Sequence, residues 1–235
     1  MKQVIVLANV IEALQASDIP GMFAHLPICY VCLIYEIEIG ERRMLLKKQI
    51  QNYIAYNEQE ENDKRIMLKY IDYNHDVLTR SNEIAHFTAS AWVINPSENK
   101  LLMIYHNIYK SWAWTGGHAD GEENLLSVAI REVQEETGIT KVVPVTDHIF
   151  SLEIITVDGH MKKGKYISSH LHLNITFLLK ALEDEKLITK PDENSGVKWM
   201  GIEEAVSASN EPWMQEIYRK LNRKLKEIIN VANEI

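Results

Sequence analysis

The chain has 235 residues, with 33 acidic and 25 basic side chains and a formal net charge of −8 at pH 7. This length allows one fully packed domain with an appendage, and the sequence contains no internal repeat or low-complexity tract. The acidic balance excludes sequence-independent binding to nucleic acid, which requires a cationic surface.

Residues 1–40 form an N-terminal extension whose structure the sequence pattern does not decide. They fit a small helix–strand element, or an upstream extension if Met44 is the natural start. The most hydrophobic stretch, Gly21–Tyr35, contains His25 and Pro27 and falls short of the roughly 18 uninterrupted apolar residues that a membrane span requires. The N-terminus also lacks the pattern of a secretory signal. We therefore expect a cytoplasmic protein without membrane contact.

The two cysteines, Cys29 and Cys32, form a C-x-x-C pair. Such a pair can be redox-active or supply half of a zinc site, but His25 alone is a poor complement for four-coordinate zinc. The surrounding apolar run, Ile28–Tyr35, favours buried thiols on a strand. Two cysteines give no disulfide framework, which is typical of a reducing cytosol.

Residues 41–84 have a polar composition with helical periodicity, which predicts an N-terminal helical region. We expect two helices, Glu41–Tyr56 and Glu58–Tyr73, separated near Asn57. Their apolar residues recur at helical spacing, which favours packing against a core. Such a region fits a homodimer contact or a cover over the substrate, and the sequence does not choose between them.

Residues 85–235 follow a boundary near Asn82–His86 and show the pattern of an α+β sandwich. The expected strands are Phe87–Asn95, Leu101–Tyr105, Val142–Val145, Ile149–Val157, Tyr166–Leu179 and Gly196–Met200. The expected helices are Ser127–Thr137, Ile202–Ala208 and Pro212–Val231. A turn signal separates the first two strands, which fit a hairpin.

Residues 117–139 carry the most informative pattern, G-x5-E-x7-R-E-U-x-E-E-x-G-U, in which U is a bulky aliphatic residue. Glu132, Glu135 and Glu136 stand at i, i+3 and i+4 of a predicted helix, so their carboxylates share one face. Crowded carboxylates raise one another's pKa unless a cation neutralises them. Mg²⁺ or Mn²⁺ suits this all-oxygen cluster, and a solvated charged face is the alternative.

Arg131 lies four residues before Glu135 and can hold that carboxylate while leaving an outer oxygen for a metal ion. The pattern as a whole resembles the signature of the Nudix hydrolase superfamily, with no departure at its fixed positions. These are Gly117, Glu123, Arg131, Glu132, Val133, Glu135, Glu136, Gly138 and Ile139. Just upstream, Thr115 stands where the family often has proline.

The resemblance implies a Nudix-type αβα sandwich with a mixed sheet. It also implies divalent-metal-dependent hydrolysis of a diphosphate bond in a nucleoside diphosphate linked to another moiety. By the same resemblance, the Gly116 carbonyl is a metal ligand beside the three helix glutamates, and Glu123 pairs with Arg131. We expect Arg131 and the three glutamates to act in catalysis.

A further catalytic carboxylate is expected downstream, because the family commonly takes a base or an additional metal ligand from a variable loop or strand. Glu193 lies just before a predicted strand and is our candidate. Asp192 is the neighbouring competitor, and a loop carboxylate that faces water is the alternative interpretation.

Two histidines are candidates for substrate binding. His170 and His172 alternate on a predicted strand and share one face with Ser168 and Asn174. This face fits the wall of a binding pocket, and it fits a solvated surface equally well.

Lys165 is a further candidate for substrate binding. Together with Lys162 and Lys163 it surrounds a predicted hairpin tip, where it can attract phosphates or lie in a solvated loop.

Two other functions remain open. Isopentenyl diphosphate isomerase shares the Nudix fold but needs a catalytic cysteine, whereas Cys29 and Cys32 both precede the domain. A Nudix-like regulator that binds a nucleotide sugar without cleaving it usually lacks one or more of the signature glutamates, all of which are present here. Phosphate release from a panel of nucleoside diphosphate derivatives separates hydrolysis from binding alone.

Overall fold

The computed structural model describes residues 45–162 and 164–233. The expectations for residues 1–40, for the Cys29–Cys32 pair, for Met44 and for Lys163 lie outside the described residues. Helices occupy residues 45–52 (α1), Glu58–Tyr73 (α2), Leu125–Thr137 (α3), Ile202–Ala208 (α4) and Pro212–Asn233 (α5). In these described ranges, no helix is both long enough and apolar enough to cross a membrane.

The strands form one eight-stranded sheet and a separate hairpin. They are Ala85–Ile94 (β1), Lys100–His106 (β2), Ser111–Ala113 (β3), Thr115–His118 (β4), Val142–Pro144 (β5), Ser151–Val157 (β6), His160–Lys162 (β7), Lys165–Ile167 (β8), His170–Ala181 (β9) and Asn194–Gly201 (β10). The main path of the sheet is β10–β2–β1–β9–β5, and β3, β4 and β6 pair with β2, β1 and β9, respectively. Because β1 and β9 are parallel and the other pairs are antiparallel, the sheet is mixed.

The two central strands separate two hydrophobic cores. Successive side chains of a strand point to opposite faces, so odd-numbered residues such as Phe87 and Leu173 enter a core with α1, α2 and α3. Even-numbered residues such as Trp92 and Leu178 enter a second core with α4 and α5. Helices therefore cover both faces, and the predicted α+β sandwich is confirmed. The same double coverage explains why every residue of β1 is buried.

Several boundaries differ from the sequence prediction. The first helix ends at residue 52 rather than Tyr56, whereas α2 has the predicted bounds, and the Asn57 side chain caps it by accepting from the Glu60 N–H. The single strand expected at Tyr166–Leu179 is two strands, because β8 pairs with β7 whereas β9 pairs with β1 and β6. The short strands β3 and β4 are not among the strands that the sequence predicts.

A buried ionic network joins α2 to α5. The Glu60 side chain is fully buried, and its Oε1 lies 3.0 Å from Lys220 Nζ and 3.1 Å from Lys224 Nζ. Its Oε2 accepts a hydrogen bond of 2.6 Å from the Tyr53 hydroxyl. Lys220 also pairs with Glu153 at 2.9 Å. Burial by itself raises the pKa of Glu60, but Lys220 and Lys224 outweigh it and lower the pKa to about 2.

Replacing Glu60 by glutamine tests this network. Glu60→Gln keeps the volume but leaves two buried ammonium groups without one of their counter-charges. We expect the free energy of unfolding at pH 7 to fall by about 3 kcal/mol, measured by urea unfolding. Glu61→Gln, an exposed neighbour on the same helix, is the matched control and should change it by less than about 0.5 kcal/mol. Equal effects of the two changes would contradict a stabilising network.

The same comparison has a defined pH dependence. The pKa of Glu60 in the folded chain lies below its ordinary value of 4.5, so its contribution to stability is complete above that value and is lost as the pH falls towards 2. The difference in stability between the wild type and Glu60→Gln should therefore shrink over this range.

Candidate active site

The glycine pair on β4 brings backbone directly against the carboxylates of α3. The Gly116 N–H donates a hydrogen bond of 3.0 Å to Glu136 Oε2. A Cβ added to Gly117 would lie 2.4 Å from the Glu132 carboxyl carbon, so no side chain fits there unless that carboxylate moves. Glycine at position 117 allows β4 and α3 to approach this closely, whereas a Cβ added to Gly116 would lie 2.7 Å from the Ala89 carbonyl of the neighbouring strand β1.

Helix α3 holds its glutamates between two defined ends. The Asn124 side chain caps its first turn by accepting from the Ser127 N–H. Gly138 ends it in the left-handed conformation with φ of 77°, which glycine adopts without strain. Val133, fully buried, anchors the helix on the core. Glu132 and Glu136, at i and i+4, consequently face the Gly116–Gly117 pair of β4.

Glu136 is the most constrained of these carboxylates, with only 3% of its surface exposed. Burial raises its pKa well above the ordinary range, and the charges of Glu132 and Glu193 raise it further. The hydrogen bond from Gly116 opposes this rise only in part. Burial and the nearby Glu135 also raise the pKa of Glu132. The cluster is therefore short of positive charge at its centre.

Two cationic side chains hold the outer edge of the cluster. Arg131 lies 3.3 Å from Glu132 Oε1 and 3.8 Å from Glu135 Oε1. Lys190 Nζ lies 2.8 Å from Glu135 Oε2 and 3.0 Å from Glu193 Oε2. Burial opposes the charge on Lys190, but Glu135 and Glu193 outweigh it and raise its pKa. Lys190 was not identified from the sequence, because it lies 55 residues from Glu135 with no motif to link the two.

Glu193 lies beside the helix glutamates, at the entrance to β10. The next residue, Asn194, is buried and donates a hydrogen bond of 2.9 Å to the Glu136 backbone carbonyl. The Glu193 carbonyl accepts from the Asn107 N–H at 2.9 Å, which fixes the backbone on its other side. Glu193 and Asp192 both line the same cavity. The structure thus brings the downstream candidate and the helix glutamates together.

The cavity has a volume of about 990 Å³ and lies between the carboxylate cluster and the polar ends of β1 and β9. His170, His172 and Asn174 line it, as expected if their shared face forms a pocket wall. From the β7–β8 hairpin, Lys162 lines the cavity, whereas Lys165, paired opposite to it, is exposed and is not part of the wall.

Asn174 is held by hydrogen bonds from two strands. Its Oδ1 accepts from the Thr88 hydroxyl at 3.0 Å and from the Ser90 hydroxyl at 2.8 Å. Its Nδ2 donates to Glu153 Oε2 at 3.2 Å, and Glu153 in turn pairs with Lys220. The cavity wall is therefore continuous with the buried ionic network between α2 and α5.

Two further histidines, His86 and His118, join His170 and His172 in the wall. One ring nitrogen of each of the four lies within 4.8 Å of a ring nitrogen of the other three. Burial lowers the pKa of His118 to about 3 and of His172 to about 2, and the charges of neighbouring histidines add to both shifts. The His118 and His172 imidazoles are therefore neutral at neutral pH.

Comparison with known proteins identifies the family. The family model described as NUDIX domain matches residues 85–221, more than half of the chain, and the chain belongs to this family. The matched residues include the Gly116–Gly117 pair, α3 and Glu193.

Individual relatives match over part of their length. The asymmetrical bis(5′-nucleosyl)-tetraphosphatase of Rattus norvegicus is 28% identical over 95 residues, which cover 40% of this chain and 58% of the rat protein. A probable DHNTP pyrophosphohydrolase of Lactococcus lactis subsp. cremoris is 30% identical over 142 residues, covering 60% of this chain and 80% of that protein. A solved structure of a C. elegans Ap4A hydrolase binary complex aligns with a TM-score of 0.42 and 21% identity, over 61% of this chain and 97% of that chain.

Proposed function

We propose that the protein hydrolyses a diphosphate bond in a nucleoside diphosphate linked to another moiety, with Mg²⁺ or Mn²⁺ as cofactor. The observation that carries this proposal is the buried Glu136 carboxylate, with its raised pKa, beside Glu132 and the Gly116 backbone. Membership of the Nudix family supports it, as do relatives named as a tetraphosphatase and pyrophosphohydrolases.

The donor set fits a hard divalent cation. It consists of carboxylate oxygens, with the Gly116 carbonyl as a further candidate, and Mg²⁺ and Mn²⁺ prefer such oxygen ligands. The raised pKa values of Glu132 and Glu136 have the sign expected of carboxylates that lack a neutralising cation. We assign Glu132, Glu135 and Glu136 as the ligands. When bound, the metal ion would lower the pKa of water and stabilise charge on phosphoryl oxygens.

Arg131 and Lys190 act as positioning residues in this proposal. Both lie against Glu135, and Arg131 also contacts Glu132. Fixing these carboxylates before substrate arrives reduces the reorganisation needed during the reaction. The ion pair between Lys190 and Glu193 also holds Glu193 next to Glu136. The pairing of Glu123 with Arg131 stays a prediction.

Glu193 is the proposed base. Its carboxylate is partly exposed, lines the cavity and lies close enough to Glu136 to raise the pKa of that group. A carboxylate in this position can accept the proton of the attacking water while the metal-binding glutamates stay ionised.

His170, His172 and the hairpin lysines are the proposed substrate contacts. The cavity volume of about 990 Å³ lies in the range of small-ligand sites. The two histidines lie on its wall and can donate or accept hydrogen bonds to a base or phosphate. Lys162 is the nearer source of positive charge for phosphates, and Lys165 adds charge beside it across the hairpin. A homodimer and a cytoplasmic location stay predictions from the sequence.

A substrate panel tests the proposal. The panel contains bis(5′-nucleosyl) tetraphosphates, nucleoside triphosphates and nucleoside diphosphate sugars, each incubated with Mg²⁺ and assayed for phosphate-containing products. Cleavage of at least one compound at a diphosphate bond is expected. Tight binding of a nucleotide sugar without turnover of any compound would contradict hydrolysis and favour a regulator.

Glu136→Gln should reduce kcat/KM by about 100- to 1,000-fold on the best substrate of that panel, because one strong oxygen ligand and one negative charge are lost. Stability should not fall, since glutamine has nearly the same volume and burial disfavours the ionised carboxylate. Enzyme kinetics and thermal melting measure the two effects.

Glu203→Gln, whose side chain is 76% exposed on α4, is the activity control and should match the wild type. A Glu136→Gln protein with wild-type kcat/KM would show that this cluster is not the catalytic site.

The assignment of the base is tested by comparing Glu193→Gln with Asp192→Asn. Both residues line the cavity, and the Glu193 carboxylate pairs with Lys190 and raises the pKa of Glu136. We expect Glu193→Gln to lower kcat by at least about 100-fold at saturating metal, the range for loss of general-base catalysis, and Asp192→Asn to retain most activity. The reverse order would transfer the role to Asp192, and retention of half the activity by Glu193→Gln would eliminate Glu193.

A further inference from the structure

Four histidines converge on one wall of the cavity, from three neighbouring strands. His86 stands on β1, His118 ends β4, and His170 and His172 begin β9. The strand register sets His86 directly beside His172, and it pairs His118 with Thr88, two residues along β1 from His86. Side chains two residues apart on a strand share a face, so all four imidazoles meet on the same side of the sheet.

The spacing of the ring nitrogens suits a metal centre. Tetrahedral bonds of 2.0–2.1 Å place the ligand nitrogens about 3.3 Å from one another. His170 Nε2 and His172 Nε2 are 3.2 Å apart, close to that value. One nitrogen of each of the four lies within 4.8 Å of the others, so small side-chain rotations close the remaining gap of about 1.5 Å at most.

Hydrogen bonds on the far side of two rings orient them as ligands. The Nδ1 of His86 lies 2.9 Å from the Asn82 carbonyl, and the Nδ1 of His170 lies 2.8 Å from the Ser168 carbonyl. A carbonyl oxygen can only accept, so each Nδ1 donates and each Nε2 can offer a lone pair. At His170 this Nε2 faces His172 Nε2 at hydrogen-bond distance, 3.2 Å, a contact that a bound metal ion would replace. A backbone carbonyl bound to the far nitrogen is the usual support of a metal-binding histidine.

His86 provides a second, independent observation that points to a ligand at this site. Its side chain is only 4% exposed, and its Nε2 has no hydrogen-bond partner among the described residues. A buried polar atom without a partner is costly, and a bound cation would satisfy the lone pair. In addition to burial, the positive charge of Arg80 lowers the pKa of both His86 and His118. The Arg80 guanidinium is itself paired with the Asp120 carboxylate through hydrogen bonds of 2.7 and 2.6 Å.

We propose that His86, His118, His170 and His172 bind a transition-metal ion of the Zn²⁺ class, at a site separate from the carboxylate cluster; in this assignment His170 and His172 are metal ligands and do not contact substrate directly. Imidazole nitrogen suits Zn²⁺, whereas the hard cations Mg²⁺ and Mn²⁺ prefer the oxygen ligands of α3. Four protein ligands fill a tetrahedral shell, which is the arrangement of a structural zinc site. The ion would tie β1, β4 and β9 together next to Gly117.

The test measures Zn²⁺ binding by the full-length protein after chelation and dialysis, with a chromophoric chelator as competitor and no substrate present. The wild type should bind a single tight Zn²⁺ ion. His170→Gln and His172→Gln should each weaken binding by at least about 100-fold, because loss of a direct ligand exceeds the 10- to 100-fold effect of an outer-shell partner. His148→Gln, whose side chain is 86% exposed, is the matched control and should bind as the wild type does.

A second comparison separates this site from the proposed catalytic one. Glu136→Gln should keep the tight Zn²⁺ ion, because the histidines do not depend on the carboxylate cluster. Far-UV circular dichroism of the metal-free variants checks their fold, and two histidine positions keep the test decisive if one variant does not fold. Absence of tight Zn²⁺ binding by the wild type, wild-type binding by both histidine variants, or loss of Zn²⁺ only in Glu136→Gln would each overturn the proposal. Failure of hydrolysis with Zn²⁺ binding intact would contradict only the proposed function.

Discussion

The hydrogen bond from the Gly116 N–H to the Glu136 carboxylate is the contact on which the candidate site depends. It requires backbone and helix to approach more closely than any side chain at Gly117 would permit, and it buries a carboxylate almost completely. A buried ionised group needs opposite charge or several hydrogen bonds, and here one backbone donor supplies only part of that. Arg131 and Lys190 supply positive charge at the outer edge of the cluster, and a divalent cation would supply it at the centre.

The sheet gives this arrangement its setting, because β1 and β9 are parallel neighbours with both faces covered. On one face their side chains are apolar along the whole length. On the other face they change from histidine, threonine, serine and asparagine at one end to tryptophan and leucine at the other. Because the side chains at the polar end of this face are buried, they must form hydrogen bonds with one another, as Thr88, Ser90 and Asn174 do. Glu153 continues this network to Lys220, which also donates a hydrogen bond to Gln59 of α2. Helix α2 is therefore joined to the domain by polar contacts as well as by packing.

Local signals in the sequence predicted the parts of the site that lie close together in the chain. Helix α3, its end at Gly138 and the common face of Glu132 and Glu136 follow from residue spacing alone. Contacts that depend on tertiary structure were not predictable. Lys190 lies 55 residues from Glu135, and Glu60 lies more than 150 residues from Lys220. His86 and His118 join His170 and His172 only because β1 pairs in parallel with β9 and antiparallel with β4, and no periodicity in the sequence indicates these pairings.

The most direct test of the central claim is the metal dependence of hydrolysis by the wild-type protein. Activity on the best substrate should be absent in excess EDTA and should return when Mg²⁺ or Mn²⁺ is added in excess of the chelator, because the pKa values of Glu132 and Glu136 stay raised even with Arg131 and Lys190 at the outer edge of the cluster. Full turnover in excess EDTA would contradict the account.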